Sequence, residues 1–330
     1  MAILVTGGAG YIGSHMVHAL VDRGERVVVI DNLSTGFEAV LPAAARLVVG
    51  DIGDSTLVDQ VLKEEGVTGI AHFAGSIVVP DSVTDPLSYY ENNTVKSRAL
   101  IAAAVRAGVK AFLFSSTAAV YGEPGVSLID ETLSPSPVSP YGWSKLMTEI
   151  MLRDTSRAHG LKYAVLRYFN VAGADPKGRT GQSSKRATHL IKIASQTALG
   201  QRASMDVYGT DYPTPDGTCL RDYIHVTDLI DAHVLALMHL LGGGDNLTAN
   251  CGYGKGFSVL EVIDAVKRVS GVDFAVNLAE RRAGDPPALV ADSQFIRNKL
   301  GWAPKLEDLD TIVSHALAWE KSLSLRNSKP

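Results

Sequence analysis

Short apolar runs of strand length recur along the first half of the chain, at 2–6, 27–30, 47–49, 69–73, 111–115 and 163–167. Most of their positions are apolar consecutively and not alternately, which suits strands covered on both faces. Helix-length segments lie between most of them. This rhythm predicts an α/β fold, a doubly wound parallel sheet with helices on either side. From about Gly173 the rhythm gives way to Gly-, Pro- and Asp-rich stretches such as 208–217, with amphipathic segments at 226–241 and 258–269. Two domains are expected: one over 1–172, with later segments at about 226–255 packing back on it, and a smaller α/β domain over 173–330. Residues 324–330 read as a loose polar tail.

The first run ends in Gly7-Gly8-Ala9-Gly10-Tyr11-Ile12-Gly13, and an acidic residue, Asp31, closes the second run about twenty positions later. Strand, glycines, helix and distant acid in this order are the fingerprint of a Rossmann-type dinucleotide site. Gly7, Gly10 and Gly13 allow a tight turn and a close approach of backbone to a pyrophosphate. The amides of Tyr11 and Ile12 open a helix whose N-terminus favours the anion. Asp31 would accept from a ribose 2′-hydroxyl and repel a 2′-phosphate, so NAD is the expected cofactor. The smaller domain then reads as the substrate-binding one.

Bulk properties narrow the partners. The 330 residues carry a formal net charge of −4, so no basic field is offered to nucleic acid or anionic lipid. Two cysteines, Cys219 and Cys251, supply neither a disulfide framework nor a zinc cluster, and the histidines show no metal-ligand spacing. No apolar run approaches the ~20 residues that span a bilayer, and no signal-like segment precedes the first strand. A cytoplasmic protein acting on a small molecule, with no metal, no nucleic acid and no membrane, is expected.

Candidate chemistry lies in Ser139-Pro140-Tyr141-Gly142-Trp143-Ser144-Lys145. Pro140 suits the first position of a helix and Ser139 its cap, so a helix is predicted from Pro140 to about His159. Tyr141 and Lys145 are four apart and project from one face. An ammonium beside a phenol lowers the phenol's pKa from about 10 and makes it a usable base. Taken alone, such a pair is more often a surface contact. Here the preceding strand ends in Ser115-Ser116-Thr117, hydroxyls at the carboxyl edge where ligands bind in such sheets. Thr117 can relay a proton between a substrate hydroxyl and Tyr141.

With these residues in view the chain resembles the extended short-chain dehydrogenase/reductases, and within them the UDP-glucose 4-epimerase family, nearly end to end. The resemblance rests on the glycine turn, Asp31-Asn32, Asp51-Ile52, Phe73-Ala74-Gly75, Tyr89-Tyr90-Glu91-Asn92-Asn93, Tyr141 with Lys145, Tyr168-Phe169-Asn170, and the stretch from Gly209-Thr210-Asp211-Tyr212 through Arg221-Asp222-Tyr223-Ile224-His225. It implies that Asp31, Asn32, Asp51, Ile52, Phe73, Ala74, Gly75, Asn92, Ser115 and Tyr168 line the cofactor. Tyr141, Lys145 and Thr117 would act at the reacting carbon. It also implies that Asn170, His189, Leu190, Tyr208, Arg221, Arg282, Asp285 and Leu289 face a UDP-sugar, with Tyr208 beside the uracil. For either arginine alone an ion pair within the protein is as good a reading as a ligand contact.

The implied activity is NAD-dependent inversion at C4 of a UDP-hexose through a transient 4-keto sugar, interconverting UDP-glucose and UDP-galactose. Related dehydratases and decarboxylases carry acidic residues just after the threonine, where this chain has Ala118-Ala119. Methyl groups cannot serve as acid or base there. Departures bear on substrate: Ile77 replaces a lysine that reaches the pyrophosphate in many members, His189 replaces an asparagine, and Leu289 has a size intermediate among family members. UDP-N-acetylhexosamines and UDP-pentoses therefore stay open, as does a non-catalytic dinucleotide binder. A homodimer through helices at about 87–107 and 140–158 is a further implication.

Overall fold

A computed structural model describes residues 1–126, 128–184, 188–282 and 285–327. Its strands are β1 (Ala2–Thr6), β2 (Arg26–Asp31), β3 (Arg46–Val49), β4 (Val67–His72), β5 (Ala111–Ser115), β6 (Leu128–Ile129), β7 (Lys162–Tyr168), β8 (Asn170–Ala172), β9 (Ser204–Tyr208), β10 (Leu220–His225), β11 (Leu247–Cys251), β12 (Gly256–Ser258), β13 (Ala275–Ala279) and β14 (Ala288–Ala291). Among the described residues the largest sheet has the order β11-β7-β5-β4-β1-β2-β3, and every neighbouring pair in it is parallel. This is the doubly wound sheet the apolar runs predict. β11, from the second half of the chain, forms its edge beside β7.

Helices α1 (Tyr11–Asp22), α2 (Ser55–Glu65), α3 (Val79–Thr84), α4 (Pro86–Tyr89), α5 (Lys96–Arg106), α6 (Pro140–His159), α7 (Leu190–Ala198), α8 (Val226–Leu241), α9 (Val259–Ser270), α10 (Gln294–Leu300) and α11 (Leu309–Asn327) complete the chain. One face of the large sheet buries Ile3, Val5, Val27 and Val29 against α1 and α8 through Leu20, Leu229 and Leu237. The other buries Leu4, Val28, Ile70 and Phe112 with Val58 of α2 and Leu100 of α5. Alternate residues of one strand thus reach opposite layers, as consecutive apolar positions require.

A second core joins α7, α9 and α11 through Ile191, Val262, Val266, Ile312 and Val313. Around it lie the path β12-β10-β14-β6, with β8 beside β10, and the pair β13-β9. Two local expectations are refined. The segment at 87–107 is helical as expected but changes its winding, with a π-helical turn over Tyr90–Val95 between α4 and α5. The final helix runs to Asn327, so the tail expected at 324–330 is helical in its first part, and 328–330 lie outside the described residues.

Candidate active site

All strands of a parallel sheet end at the same edge, and the polar residues that follow each strand here converge on it. After β1, Gly7 adopts φ +68, and a Cβ on it would lie 2.6 Å from the Ala74 amide nitrogen. A Cβ on Gly13 would lie 2.2 Å from the Gly7 carbonyl oxygen, so this glycine seats α1 on the turn. No side chain caps α1 at Gly10, which leaves its first amides, including those of Tyr11 and Ile12, to the turn. The Tyr11 hydroxyl instead reaches across to donate to the Gly173 carbonyl at 2.7 Å.

Asp31, buried at the end of β2, accepts from the Ala9 amide at 2.9 Å through Oδ2 and from the Leu33 amide at 2.8 Å through Oδ1. Among the described residues it forms no ion pair. Its carboxylate is therefore aimed at the glycine turn without a cation, which suits a ribose hydroxyl and disfavours a 2′-phosphate. Asp51, after β3, takes the Lys96 ammonium at 2.6 Å and the Gly53 amide at 2.8 Å, with Asn32 acting in the same sense on its titration. These donors outweigh partial burial and hold its pKa below the usual range. Ile52 beside it is packed into the core.

At the end of β5, Ser115 hydrogen-bonds Nε2 of His233 at 3.3 Å, and its hydroxyl acts to lower the Tyr168 pKa against burial. The Phe73 ring lies 5.2 Å from that imidazole. Helix α6 enters beside them. The Ser139 hydroxyl accepts from the Gly142 amide at 3.2 Å and Pro140 opens the helix, which closes at Gly160 in the left-handed region. Tyr141 is 7 % exposed and Lys145 4 %. The Thr117 hydroxyl is near enough to Tyr141 to act on its titration, lowering the pKa. The Lys145 ammonium donates to the Ser115 carbonyl at 3.1 Å and sits 4.9 Å over the Phe114 ring.

One electrostatic expectation is reversed. The spacing of Tyr141 and Lys145 predicts a lowered phenol pKa, yet burial drives it up, and the Thr117 hydroxyl offsets only part of that rise. In this dry pocket the cost of desolvating a phenolate exceeds what neighbouring groups return. Burial also lowers the Lys145 ammonium to about 8, with the Glu149 carboxylate acting the other way.

The residues assigned to the sugar nucleotide lie across from this edge. Asn170 on β8 is in register with Tyr223 of β10, and Arg221, two residues earlier, is in register with Leu289 of β14. The two-residue repeat of a strand places them on one face. Arg221 Nη2 donates to Asp285 at 2.6 Å and Nη1 to the Leu220 carbonyl at 2.7 Å. The guanidinium of exposed Arg282 covers the Tyr208 ring at 3.9 Å. Arg221 is thus in an ion pair, and the aromatic face expected to meet a base carries a cation. A pocket lined by Tyr11, Asn170, Gly173, His189 and Leu190 unites part of the set; Tyr208, Arg221, Arg282, Asp285 and Leu289 do not line it. His189 occupies the N-cap position of α7 without capping it, and burial and Lys192 lower its pKa, so it is a neutral acceptor or donor there.

Several residues were not singled out from sequence. Asn93, adjacent to the expected Asn92, is the buried one. Its Oδ1 accepts from the Ser76 amide at 2.7 Å and its Nδ2 donates to the Ser76 carbonyl at 2.9 Å and to Ser144 at 3.0 Å, tying the Gly75 turn to α6. Asn92 donates to the Ser76 hydroxyl at 2.9 Å. The π-helical turn sets which of the two points inward, and spacing cannot reveal that. Lys96, partner of Asp51, is likewise legible only in three dimensions.

The model of the NAD dependent epimerase/dehydratase family matches residues 3–252. A UDP-glucose 4-epimerase from Azospirillum brasilense is 58 % identical over 97 % of this chain and 92 % of its own length. The crystal structure of the UDP-glucose 4-epimerase from Brucella ovis in complex with NAD superposes with a TM-score of 0.93 at 44 % identity, covering 96 % of this chain and 98 % of that one. That of the UDP-Glc/GlcNAc 4-epimerase from Campylobacter jejuni gives 0.85 at 46 % identity, covering 97 % and 99 %.

Proposed function

The chain belongs to the NAD dependent epimerase/dehydratase family, among the UDP-glucose 4-epimerases, and we propose that it inverts C4 of UDP-hexoses, interconverting UDP-glucose and UDP-galactose. One observation carries this reading. Thr117, whose hydroxyl acts to lower the Tyr141 pKa, lies with Tyr141 at the same sheet edge as the Gly7 turn and Asp31, and Ala118 and Ala119 directly follow Thr117. The two hydroxyls form a proton-carrying couple at a dinucleotide edge, and the two positions after Thr117 hold no acid or base for eliminating water.

The uncapped α1 turn, the unpaired Asp31 carboxylate and the backbone pressed between Gly7 and Ala74 fit NAD, with Asp51 and the Phe73–Gly75 turn alongside. NAD held there would supply the reversible two-electron oxidation at C4. Tyr141 acts as its phenolate, formed by loss of its own proton to solvent, and the Thr117 hydroxyl together with the Lys145 charge stabilises that anion. The phenolate takes the 4-hydroxyl proton directly or through Thr117 and holds it as a neutral phenol. The same proton returns when the 4-keto sugar is reduced on its opposite face. Arg221 and Arg282 anchor the diphosphate while the sugar turns, exchanging Asp285 and Tyr208 for phosphate oxygens. The relative named for both Glc and GlcNAc supports an N-acetylated sugar as a second substrate.

The substrate half is 173–330 less α8 and β11, which complete the cofactor half. Trp143, Met147 and Ile150 form one exposed stripe on α6, flanked by exposed Val83, Leu87 and Val95. A second copy of the chain covers this face in the homodimer we propose, and the protein works in the cytoplasm.

The test is to incubate purified protein with UDP-galactose and no added cofactor, and to follow the anomeric protons by NMR. UDP-N-acetylgalactosamine and UDP-xylose run in parallel. Conversion to UDP-glucose is expected; none after NAD is added overturns the reading.

A further inference from the structure

One turn beyond Lys145, α6 carries a carboxylate that the reaction described above does not use. Glu149 is buried against Arg167 of β7, with side-chain exposures of 7 % and 8 %. Arg167 Nη2 donates to its Oε2 at 2.6 Å, and Nε lies 3.2 Å from each oxygen. The Ser116 hydroxyl donates to Oε1 at 2.5 Å. On the far side, Arg167 Nη1 donates to the Tyr121 hydroxyl at 3.0 Å, which donates to Asn250 at 2.8 Å, which donates to the Ile129 carbonyl at 2.9 Å.

This chain of bonds touches every element that bears a reacting group. Ser116 lies between the Ser115 carbonyl that holds Lys145 and the Thr117 hydroxyl that acts on Tyr141. Tyr121 ends the 3-10 turn that Thr117 caps. Arg167 precedes Tyr168 on β7, and Asn250 is its register partner on β11. A buried ion pair costs desolvation, and apolar residues of similar volume are often no less stable. Its placement here points to geometry and charge at the site.

We propose that Glu149 is a positioning residue for the epimerisation: with Arg167 as countercharge, it locks α6 to the Ser115–Thr117 segment and sets an anion one turn from Lys145. The proposal rests on the functional reading above only for its kinetic consequence. Among the described residues, the groups around the Lys145 ammonium are Glu149 on α6, the Ser115 carbonyl and Phe114 ring of β5, the Gly75 turn, and His72 of β4. His72 is held neutral by burial, with Lys145 contributing. Glu149 is the anion whose influence raises the Lys145 pKa against burial.

The experiment uses the full-length protein labelled at lysine 13Cε, with the Lys145 signal assigned by Lys145→Arg, and titrates it by NMR in wild type and Glu149→Gln. The Lys145 midpoint is expected to fall by about one pH unit. In the epimerase assay, kcat is expected to fall ~10–100-fold with KM for UDP-galactose within about twofold, and the alkaline limb of kcat to move down with the lysine. Ser116→Ala, a small change that keeps the ion pair, is expected to lower kcat ~3–10-fold without moving the titration. An unmoved Lys145 midpoint in Glu149→Gln, or full kcat in Ser116→Ala, overturns the proposal. Should Glu149→Gln fail to fold, Ser116→Ala decides it through kcat. A wild type that does not convert UDP-galactose defeats the functional reading instead, and the titration then judges Glu149 by itself.

Discussion

The cofactor edge and the substrate face hold their polar residues in different ways. At the edge, Tyr141, Lys145, Ser115 and Asp31 are buried on regular elements or directly after them, and their partners are largely backbone groups or hydroxyls that sit still, such as the Ser115 carbonyl and the Ala9 amide. Across the cleft, Arg221, Arg282 and Tyr208 are satisfied by one another or by Asp285, and Arg282 is exposed. The first arrangement is preorganised for a proton transfer that tolerates little displacement. In the second, each side chain must release a protein partner before it can take a ligand, so affinity there is a difference between two sets of bonds. The division suits a reaction in which the sugar turns while its diphosphate is gripped.

Breaking the edge should cost turnover, and breaking the face should cost affinity. Tyr141→Phe keeps the ring and removes the proton carrier, so kcat is expected to drop by ~10³-fold or more with NAD still bound, read by the anomeric-proton assay and by cofactor retained after gel filtration. Arg221→Gln removes one anchor and frees Asp285. A rise in KM for UDP-galactose of ~10–100-fold with kcat within about threefold is expected from steady-state kinetics. Equal losses in kcat from both variants would erase the distinction between the two regions. Asp31→Ser leaves the glycine turn intact but withdraws the carboxylate, and titration of apoprotein should show NAD binding weakened by about tenfold and the preference over NADP reduced.

A smaller effect separates the layers by pH. Burial depresses His72 and His225 to about 3 and His15 and His233 to about 4, from 6.5. Groups whose folded pKa is lowered give stability that is complete above the unfolded value and is lost as pH falls through the window between 6.5 and about 3. Asp222 works in the opposite sense. Burial lifts it to about 6 although the Tyr253, Gly254 and Ala291 amides donate to it, so it costs stability as pH rises from about 4 to 6. The four deeply lowered histidines outweigh Asp222, and the apparent unfolding temperature is expected to fall by roughly 10 °C between pH 7 and pH 5 by calorimetry. Asp222→Asn should steepen that fall, and an unchanged slope would show that the carboxyl is not titrating there.

Much of the cofactor half was legible before any coordinates. The run at 2–6 is β1 and the run at 111–115 is β5 without a residue's error, and Ser139, Pro140 and Gly160 mark the ends of α6. Those signals are local: a covered strand needs consecutive apolar residues, and a helix end needs a cap. The face was less legible because its order comes from pairing across long separations. Arg221 finds Asp285 sixty-four residues away, and nothing near either residue announces it.

By itself the sequence determined the parallel sheet, the glycine turn with its distant acid, the helix that carries Tyr141 and Lys145, and the family. Each is written in residues close together or in a short fixed order. Only the tertiary structure decided that Asn93 and not Asn92 clamps the Gly75 turn, that β11 closes the sheet beside β7, that Glu149 and Arg167 are partners, and that the Tyr141 phenol is raised and not lowered. The reason is common to all four. They depend on which groups are brought together away from water, and hydrogen bonds and charges there follow the surroundings that the whole fold assembles.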